Sequence, residues 1–316
     1  MREEVIVREV GLRDGLQLVK TIVPTETKLA WLKAEADAGV REFEACSLVP
    51  AHIVPQFGDA KEMIAAALAL PGVHAQALTP NLKGADLGFA AGAQQMNFVM
   101  SVSETHNLAN VKKTHEQSLE DLRRIVALRN EQYRDRRIGC GLATAFGCTL
   151  EGNVPHANVL ALVEKALAIG VDEIMLPDTV GYGSPRQVRA LFGAALKLTG
   201  DVPLGTHFHD TRGLGLANAL AALETGIRRF DSSIAGLGGC PFAPGATGNI
   251  STEDLVFLLK SEGFETGIDI MALQRARDIV DTALPEERRQ GNILQAGLPK
   301  GFKGIAGVGA GSVAAE

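Results

Sequence analysis

The sequence predicts an α/β protein in which eight parallel strands, each followed by a helix, close into a (β/α)8, or TIM, barrel with extra helices at the carboxyl end. Apolar, β-branched segments of strand length alternate with longer stretches of helical periodicity. Eight such units occupy roughly 240 residues, which is the size of a barrel of this kind. Glycines separate the helical stretches from the strands that follow, where a left-handed residue commonly ends a helix.

Each predicted strand is a short apolar run that ends in a polar or glycine-rich segment. In chain order the strands are Val5–Gly11, Arg41–Cys46, His74–Thr79, Gln95–Ser101, Ile138–Ala145, Glu173–Asp178, Leu204–Asp210 and Phe230–Ile234. The helices predicted between them include Glu26–Ala38, Asp59–Leu70, Thr114–Arg134, Ala157–Ile169, Pro185–Lys197 and Gly215–Glu224. The glycines that mark helix ends are Gly39, Gly72, Gly92, Gly170, Gly200 and Gly226. A doubly wound open sheet would need fewer strands, so this regular repetition favours the barrel.

Two further helices are predicted after the eighth strand, over Thr252–Ser261 and Asp269–Ala283. We assign residues 1–300 to one catalytic domain. Residues 301–316 are rich in Gly, Ala and Val, and we predict a flexible tail there.

Composition narrows the class of protein. Of 316 residues 46% are hydrophobic and 22% charged, and the net charge is −6, with no basic stripe that would bind nucleic acid. The four cysteines form no CxxC pair, which fits the reducing cytoplasm. The longest apolar stretch, Met63–Leu70, is too short to cross a membrane, and no signal peptide is recognisable. We therefore expect a cytoplasmic enzyme with no nucleic-acid or membrane partner.

The chemistry of a barrel enzyme gathers where its strands end. Arg13 and Asp14 follow the first strand, and His207 and His209 lie two apart on the seventh, so that both imidazoles face the same side. An Arg-Asp pair alone is usually a salt bridge, and an isolated HxH is often incidental. The glycine-rich segment after the eighth strand, which carries Cys240, favours an active-site loop instead.

The sequence also predicts a metal site. Asp14, His207 and His209, together with Asn249 at the end of the glycine-rich segment, offer two oxygen and two nitrogen ligands. Such a mixed set suits Mg²⁺ or Mn²⁺ and leaves coordination positions for substrate.

Three motifs carry a resemblance to a known family. The run VGLRDGLQ from Val10, the run HFHDTRG from His207 and the segment AGLGGCPFAPGATGN from Ala235 resemble the 3-hydroxy-3-methylglutaryl-CoA (HMG-CoA) lyases. The resemblance implies metal-dependent cleavage of this acyl-CoA to acetyl-CoA and acetoacetate, a step of leucine degradation, by a homodimer.

The resemblance also implies a role for each site residue. Metal ligation falls to Asp14, His207, His209 and Asn249. The residues implied in catalysis are Arg13, Cys240, Glu44 and Asp178, with Arg13 steadying the thioester oxygen and Cys240 moving a proton. Gln17, Lys20 and Ser47 are implied in substrate binding, and Glu253 in support of the cysteine loop. Glu44 has an alternative role as a barrel carboxylate that only pairs with Arg13, and His106 lies where it could reach substrate.

Other functions stay open at this point. A lyase for a related 3-hydroxyacyl-CoA, either a branched glutaryl-CoA or a citramalyl-CoA-like thioester, would use the same residues. A condensing synthase of the isopropylmalate or homocitrate type shares the RD and HxH elements, but the cysteine loop argues against it. A catalytically silent barrel is disfavoured because every predicted ligand is present. Leu12 and Pro177 depart from the family's usual residues, so the surroundings of the site differ.

Overall fold

The computed structural model describes residues 3–239 and 248–302. Its eight parallel strands pair in sequence order, and β1 pairs with β8, so the sheet closes into a barrel. The strands are β1 (Ile6–Glu9), β2 (Glu42–Ser47), β3 (His74–Thr79), β4 (Gln95–Ser101), β5 (Arg137–Ala143), β6 (Glu173–Asp178), β7 (Leu204–Phe208) and β8 (Arg229–Ser232). The predicted (β/α)8 fold is confirmed.

Helices lie between consecutive strands and continue after the last strand. They are α1 (Thr25–Asp37), α2 (Ala60–Leu68), α3 (Leu82–Ala90), α4 (Glu104–Val111), α5 (His115–Gln132), α6 (His156–Ile169), α7 (Pro185–Thr199), α8 (Gly215–Glu224), α9 (Thr252–Ser261), α10 (Gln274–Ala283) and α11 (Asn292–Ala296). α10 packs against α1, and α11 packs against α9. In the described part of the chain no helix has the length and apolar character needed to span a membrane.

Some element ends differ from the prediction. β1 ends at Glu9 because the chain turns into a short helix, Gly11–Gly15, in which the backbone N–H groups of Asp14 and Gly15 both donate to the carbonyl of Val10. β7 ends at Phe208, and His209 forms an isolated bridge with Asn249 instead. α10 begins at Gln274, later than predicted, because the Asp269 side chain accepts hydrogen bonds from the following turn.

The apolar core lies between the strands and the surrounding helices, with side chains such as Phe43, Ile64, Leu122 and Leu191 fully buried. The inside of the barrel is polar by contrast. Arg8 on β1 reaches Glu173 on β6 across the interior, and both side chains are buried. Charged and amide side chains therefore fill much of the space beneath the mouth of the barrel. The assignment of residues 1–300 to one domain stays a prediction, and residues 303–316 lie outside the described part.

Candidate active site

The short helix after β1 presents Arg13 and Asp14 at the mouth of the barrel. Arg13 is 9% exposed. Its Nε donates to Glu44 Oε2, and its Nη1 donates to Asp14 Oδ1 at 2.6 Å. The other oxygen of Glu44 accepts a hydrogen bond from Asn97 Nδ2 at 2.8 Å. These contacts hold the guanidinium in one orientation, between a carboxylate on its own turn and one on β2.

The metal-ligand candidates Asp14, His207 and His209 converge. Their ligand atoms lie within 4.8 Å of one another. The two imidazole Nε2 atoms are 3.0 Å apart, and Asp14 Oδ2 lies 3.7 Å from Nε2 of His209 and 3.9 Å from Nε2 of His207. His207 Nδ1 lies 3.2 Å from Asp231 Oδ2. That contact places the ring proton on Nδ1 and leaves the Nε2 lone pair directed at the cluster, as in metal-bound histidines.

Asn249 completes the predicted ligand set. Its Nδ2 donates to Asp14 Oδ2 and to the carbonyl of Leu237, both at 2.8 Å. Its Oδ1 is buried and accepts no hydrogen bond from the described residues. A buried carbonyl oxygen without a donor is costly, whereas a metal ligand would satisfy it. The donor set of one carboxylate, two imidazoles and one amide oxygen thus fits a divalent cation.

Charge around the cluster also fits a cation. Among the ion-paired side chains that the structure describes inside the barrel, the carboxylates outnumber the arginines by two. The carboxylates are Asp14, Glu42, Glu44, Glu173 and Asp231, and the arginines are Arg8, Arg13 and Arg229. A divalent cation would balance this surplus.

The titration of the ligand side chains reflects their neighbours. Burial alone would lower the pKa of His207, but the hydrogen bond to Asp231 and the charge of Asp14 outweigh it and raise that pKa. Burial opposes ionisation of Asp14, yet Arg13 and the two histidines bring its pKa well below the usual range. The Asp14 carboxylate is therefore ionised and ready to bind a cation.

A cavity of about 250 Å³ opens beside the cluster. Arg13, Asp14, His207 and His209 are among the residues that line it. Apolar residues form much of the remaining wall, among them Val49, Val54, Phe57, Leu78, Val99, Met175 and Pro177. The site thus combines a polar reaction centre with an apolar pocket, which is typical of small-molecule sites.

Some of the other predicted site residues line the cavity and others do not. Gln17 and Ser47 line the cavity together with Glu44, whereas Lys20 is exposed and is not among the lining residues. His106 lines the cavity as well, and its Nδ1 lies 2.7 Å from Ser101 Oγ. Cys240 lies outside the described residues.

Asp178 faces a neighbouring loop. Its two carboxylate oxygens accept the backbone N–H groups of Tyr182 and Gly183, each at 2.9 Å. Burial raises its pKa although these hydrogen bonds oppose the shift. The carboxylate therefore holds the loop that follows β6, and the role of Asp178 in catalysis stays a prediction.

Glu253 lies beneath the start of the loop that leads to Cys240. Both of its oxygens are 3.1 Å from the Ala235 backbone nitrogen, and Arg277 Nη1 donates to Oε1 at 2.9 Å.

The three cysteines among the described residues are buried. They are Cys46, Cys140 and Cys148, and burial raises the pKa of Cys140 to about 12.

Several polar residues of the site were missed from the sequence. Arg8, Gln76, Asn97 and Asp231 are buried and hydrogen-bonded around the side chains named above. A signal for them was present, because Gln95 and Asn97, like Arg229 and Asp231, lie two apart on a strand and so share its inner face.

Comparisons with known proteins agree with this geometry. A family model described as HMGL-like matches residues 4–280. The chain is 41% identical over 277 residues to the hydroxymethylglutaryl-CoA lyase, mitochondrial, of Arabidopsis thaliana, and the match covers 87% of this chain and 58% of that protein. It is 38% identical over 298 residues to the protein of the same name from Gallus gallus, covering 93% of this chain and 98% of the relative.

A solved structure is also similar. It is an HMG-CoA lyase from Acinetobacter baumannii in complex with coenzyme A and 3-methylmalate, with 39% sequence identity and a TM-score of 0.88. The similarity covers 96% of this chain and 98% of that one. Because the family model matches residues 4–280 and a relative covered over 98% of its length is 38% identical, the chain belongs to the HMGL-like family.

Proposed function

We propose that this protein is a carbon–carbon lyase that cleaves HMG-CoA to acetyl-CoA and acetoacetate with the help of a divalent cation. The observation that carries the proposal is the convergence of Asp14, His207 and His209 beside Arg13 in one cavity at the mouth of the barrel. The names of the similar proteins support the choice of substrate.

The reaction breaks the bond between C2 and C3 of the acyl chain. The C3 hydroxyl gives its proton to a base, the C3–O bond becomes a carbonyl, and the electron pair of the C2–C3 bond passes to the acetyl-CoA fragment as an enolate. That enolate is then protonated at carbon to give acetyl-CoA.

Arg13 would stabilise the negative charge that develops on the thioester oxygen. Its guanidinium is fixed by Glu44 and Asp14, so it needs no reorganisation when that charge appears. Glu44, held in turn by Asn97, acts here at least by orienting Arg13.

The residues Asp14, His207, His209 and Asn249 would hold the cation. When bound, a divalent metal acidifies a substrate hydroxyl and polarises a neighbouring carbonyl. The mixed set of two oxygen and two nitrogen ligands suits Mg²⁺ or Mn²⁺.

The remaining assignments follow the resemblance and the cavity. Cys240 would deliver the proton to the departing acetyl group, while Gln17, Ser47 and Lys20 would contact substrate. Asp178 would act through the loop that it anchors.

An assay with purified protein tests the proposal. The protein is stripped of metal, supplied with HMG-CoA with and without Mg²⁺ or Mn²⁺, and acetyl-CoA and acetoacetate are both measured. Metal-dependent release of the two products in equal amounts is expected. The His207→Ala variant should release neither product.

Two outcomes would redirect the proposal. Metal-dependent cleavage of a citramalyl-CoA-like or longer branched thioester, without cleavage of HMG-CoA, would keep the lyase and change the acyl group. Condensation of acetyl-CoA with a 2-oxo acid, without any cleavage, would contradict the lyase and favour a synthase.

The setting of the enzyme is proposed on the same grounds. We place it in the cytoplasm and assign it a homodimeric state, which light scattering on the purified protein would test. A molar mass near that of one chain, 33.4 kDa, would contradict the dimer.

A further inference from the structure

A chain of hydrogen bonds leads from the metal-ligand cluster into the barrel. His207 Nδ1 donates to Asp231 Oδ2 at 3.2 Å, and Asp231 Oδ1 accepts from Arg8 Nε at 2.7 Å. Arg8 is 4% exposed and Asp231 6% exposed, so water competes little for either contact. The two oxygens of Asp231 are thus divided between the histidine and the arginine.

This division fixes the carboxylate. An aspartate that bonded His207 alone could rotate about its last torsion and exchange its oxygens. With Arg8 bound to Oδ1, only Oδ2 is left for the ring. The orientation and the tautomer of His207 therefore depend on Arg8, whose hydrogen bonds among the described residues go to Asp231, Gln76 and Glu173 and to none of the predicted ligands.

Arg8 is itself anchored on its far side. Its Nη1 donates to Gln76 Oε1 at 2.7 Å and lies 3.3 Å from Glu173 Oε1. Gln76 Oε1 also accepts from Asn97 Nδ2 at 3.1 Å, and Asn97 Nδ2 donates to Glu44, the partner of Arg13. One amide on β3 thus joins the branch that ends at His207 to the branch that ends at Arg13.

We propose that Arg8 is a positioning residue of the metal site, which sets the affinity for the cation by holding Asp231 against His207. This inference rests on the metal site of the proposed function. It assigns a task to a charged residue in the middle of β1, where barrel interiors commonly carry branched apolar side chains.

Arg229 provides a matched control. It is a second arginine of the same interior, and it pairs with Glu173 at 3.2 Å and with Glu42 at 2.5 Å. None of its hydrogen bonds within the described residues reaches Asp231. Arg8→Met and Arg229→Met therefore remove the same charge from the same network, but only the first frees Asp231.

The test measures Mn²⁺ binding to metal-free protein by electron paramagnetic resonance, with folding checked by circular dichroism. Arg8→Met is expected to weaken Mn²⁺ binding about 10-fold, the usual size of an effect from a residue behind a metal ligand. Arg229→Met is expected to bind within about twofold of the native protein. Asp231→Asn should weaken binding as Arg8→Met does, and the double variant should be no weaker than Asp231→Asn alone.

Arg8→Lys keeps the charge but offers one nitrogen in place of the separate Nε and Nη1 that bond Asp231 and Gln76, so it does not reproduce this forked contact and intermediate affinity is expected. If Arg8→Met does not fold, Arg8→Lys decides, and native affinity in that variant overturns the inference. Equal affinity of folded Arg8→Met and native protein overturns it as well, while the metal site stands. Absence of Mn²⁺ binding by the native protein would instead contradict the proposed function.

Discussion

Gly238 lies directly against two of the proposed metal ligands. Its φ is +131°, and a Cβ placed on it would stand 2.5 Å from Asn249 Nδ2 and 3.2 Å from Asp14 Oδ2. The contact between Asn249 and Asp14 therefore requires a residue without a side chain at this position.

Gly238→Ala is expected to displace Asn249 and to weaken Mn²⁺ binding about 10-fold or more. Calorimetry on metal-free protein measures the affinity. Gly152→Ala is the control, because Gly152 also has a positive φ, +78°, but nothing lies within 4 Å of its added Cβ. Equal effects of the two substitutions would mean that backbone strain, and not the contact with Asn249, is responsible.

A substitution at Cys240 separates metal binding from proton transfer to the substrate. Cys240→Ser removes the thiol and leaves all four proposed ligands in place. We expect Mn²⁺ affinity near the native value and turnover lower by about 10² to 10⁴, the range for loss of a general acid. Native turnover of the serine variant would rule out the assigned proton transfer.

At the residue scale, the sequence predicted three side chains that converge in the structure, but not the residues that hold them by hydrogen bonds. Asp14, His207 and His209 could be predicted because carboxylates and imidazoles are common metal ligands and these three lie where strands end. Asp231 and Gln76 bond to partners on other strands, and those partners are defined only once the register of the barrel is known. Lys20 was implied in substrate binding, yet its side chain is exposed and is not among the residues that line the cavity.

The short helix Gly11–Gly15 is the element that delivers Arg13 and Asp14. It packs closely on its surroundings, since a Cβ on Gly11 would lie 2.6 Å from Glu9 Oε1 and 2.7 Å from the Trp31 ring. Trp31 belongs to α1 and is 1% exposed, so it has little room to move.

Gly11→Ala is therefore expected to shift this turn and to lower both Mn²⁺ affinity and turnover. Overpacking of this kind costs about 1–3 kcal/mol of stability, which urea unfolding would measure. Gly193→Ala serves as the control, because Gly193 lies within α7 with nothing near its added Cβ, and alanine there should stabilise the helix by up to about 1 kcal/mol. Unchanged turnover in Gly11→Ala would show that the turn tolerates displacement.

Strand positions could be predicted well because buried parallel strands are short apolar runs with clear ends. β3, β4 and β6 have the predicted bounds. No bounds were predicted for α3 and α4. Gly84 and Gly88 weaken the helical sequence pattern of α3, although the helix runs through both. α4 has only eight residues, and its first turn is capped by the Ser103 hydroxyl, which accepts the His106 N–H. The first strand was predicted to run to Gly11, two residues beyond its end at Glu9, and the short helix Gly11–Gly15 was not predicted, since its conformation is set by contacts with α1 and β8.

On the scale of the whole molecule, three buried glutamates make stability depend on pH. Glu9, Glu35 and Glu253 are fully buried. Burial raises the pKa of Glu253 to about 7, against the opposing effect of Arg277. Burial, followed by the charge of Glu9, raises the pKa of Glu35 well above its usual value.

The sign of this dependence follows from proton binding. Between the ordinary glutamate pKa, about 4.3, and the raised values, the folded protein binds more protons than the unfolded chain. The contribution of these groups is thus fully present below about pH 4 and is lost as pH rises through the folded pKa values. We expect the free energy of unfolding to fall between pH 5 and 8.

Glu35→Gln should flatten this dependence, because the amide resembles the protonated acid and does not titrate. The variant is expected to match the native protein at pH 5 and to exceed its stability at pH 8, as measured by urea unfolding. Glu26→Gln, at an exposed position on the same helix, should leave the slope as it is. An unchanged slope in Glu35→Gln would mean that Glu35 is ionised in the folded protein.

The most direct test of the account is a titration of metal-free protein with Mn²⁺ in which bound metal and acetoacetate release are followed together. We predict that activity rises in proportion to occupancy and saturates at one Mn²⁺ per chain, and that His207→Ala gains neither bound metal nor activity. Full activity in chelator-treated protein, or native binding and turnover in His207→Ala, would contradict a metal-dependent lyase built on Asp14, His207 and His209.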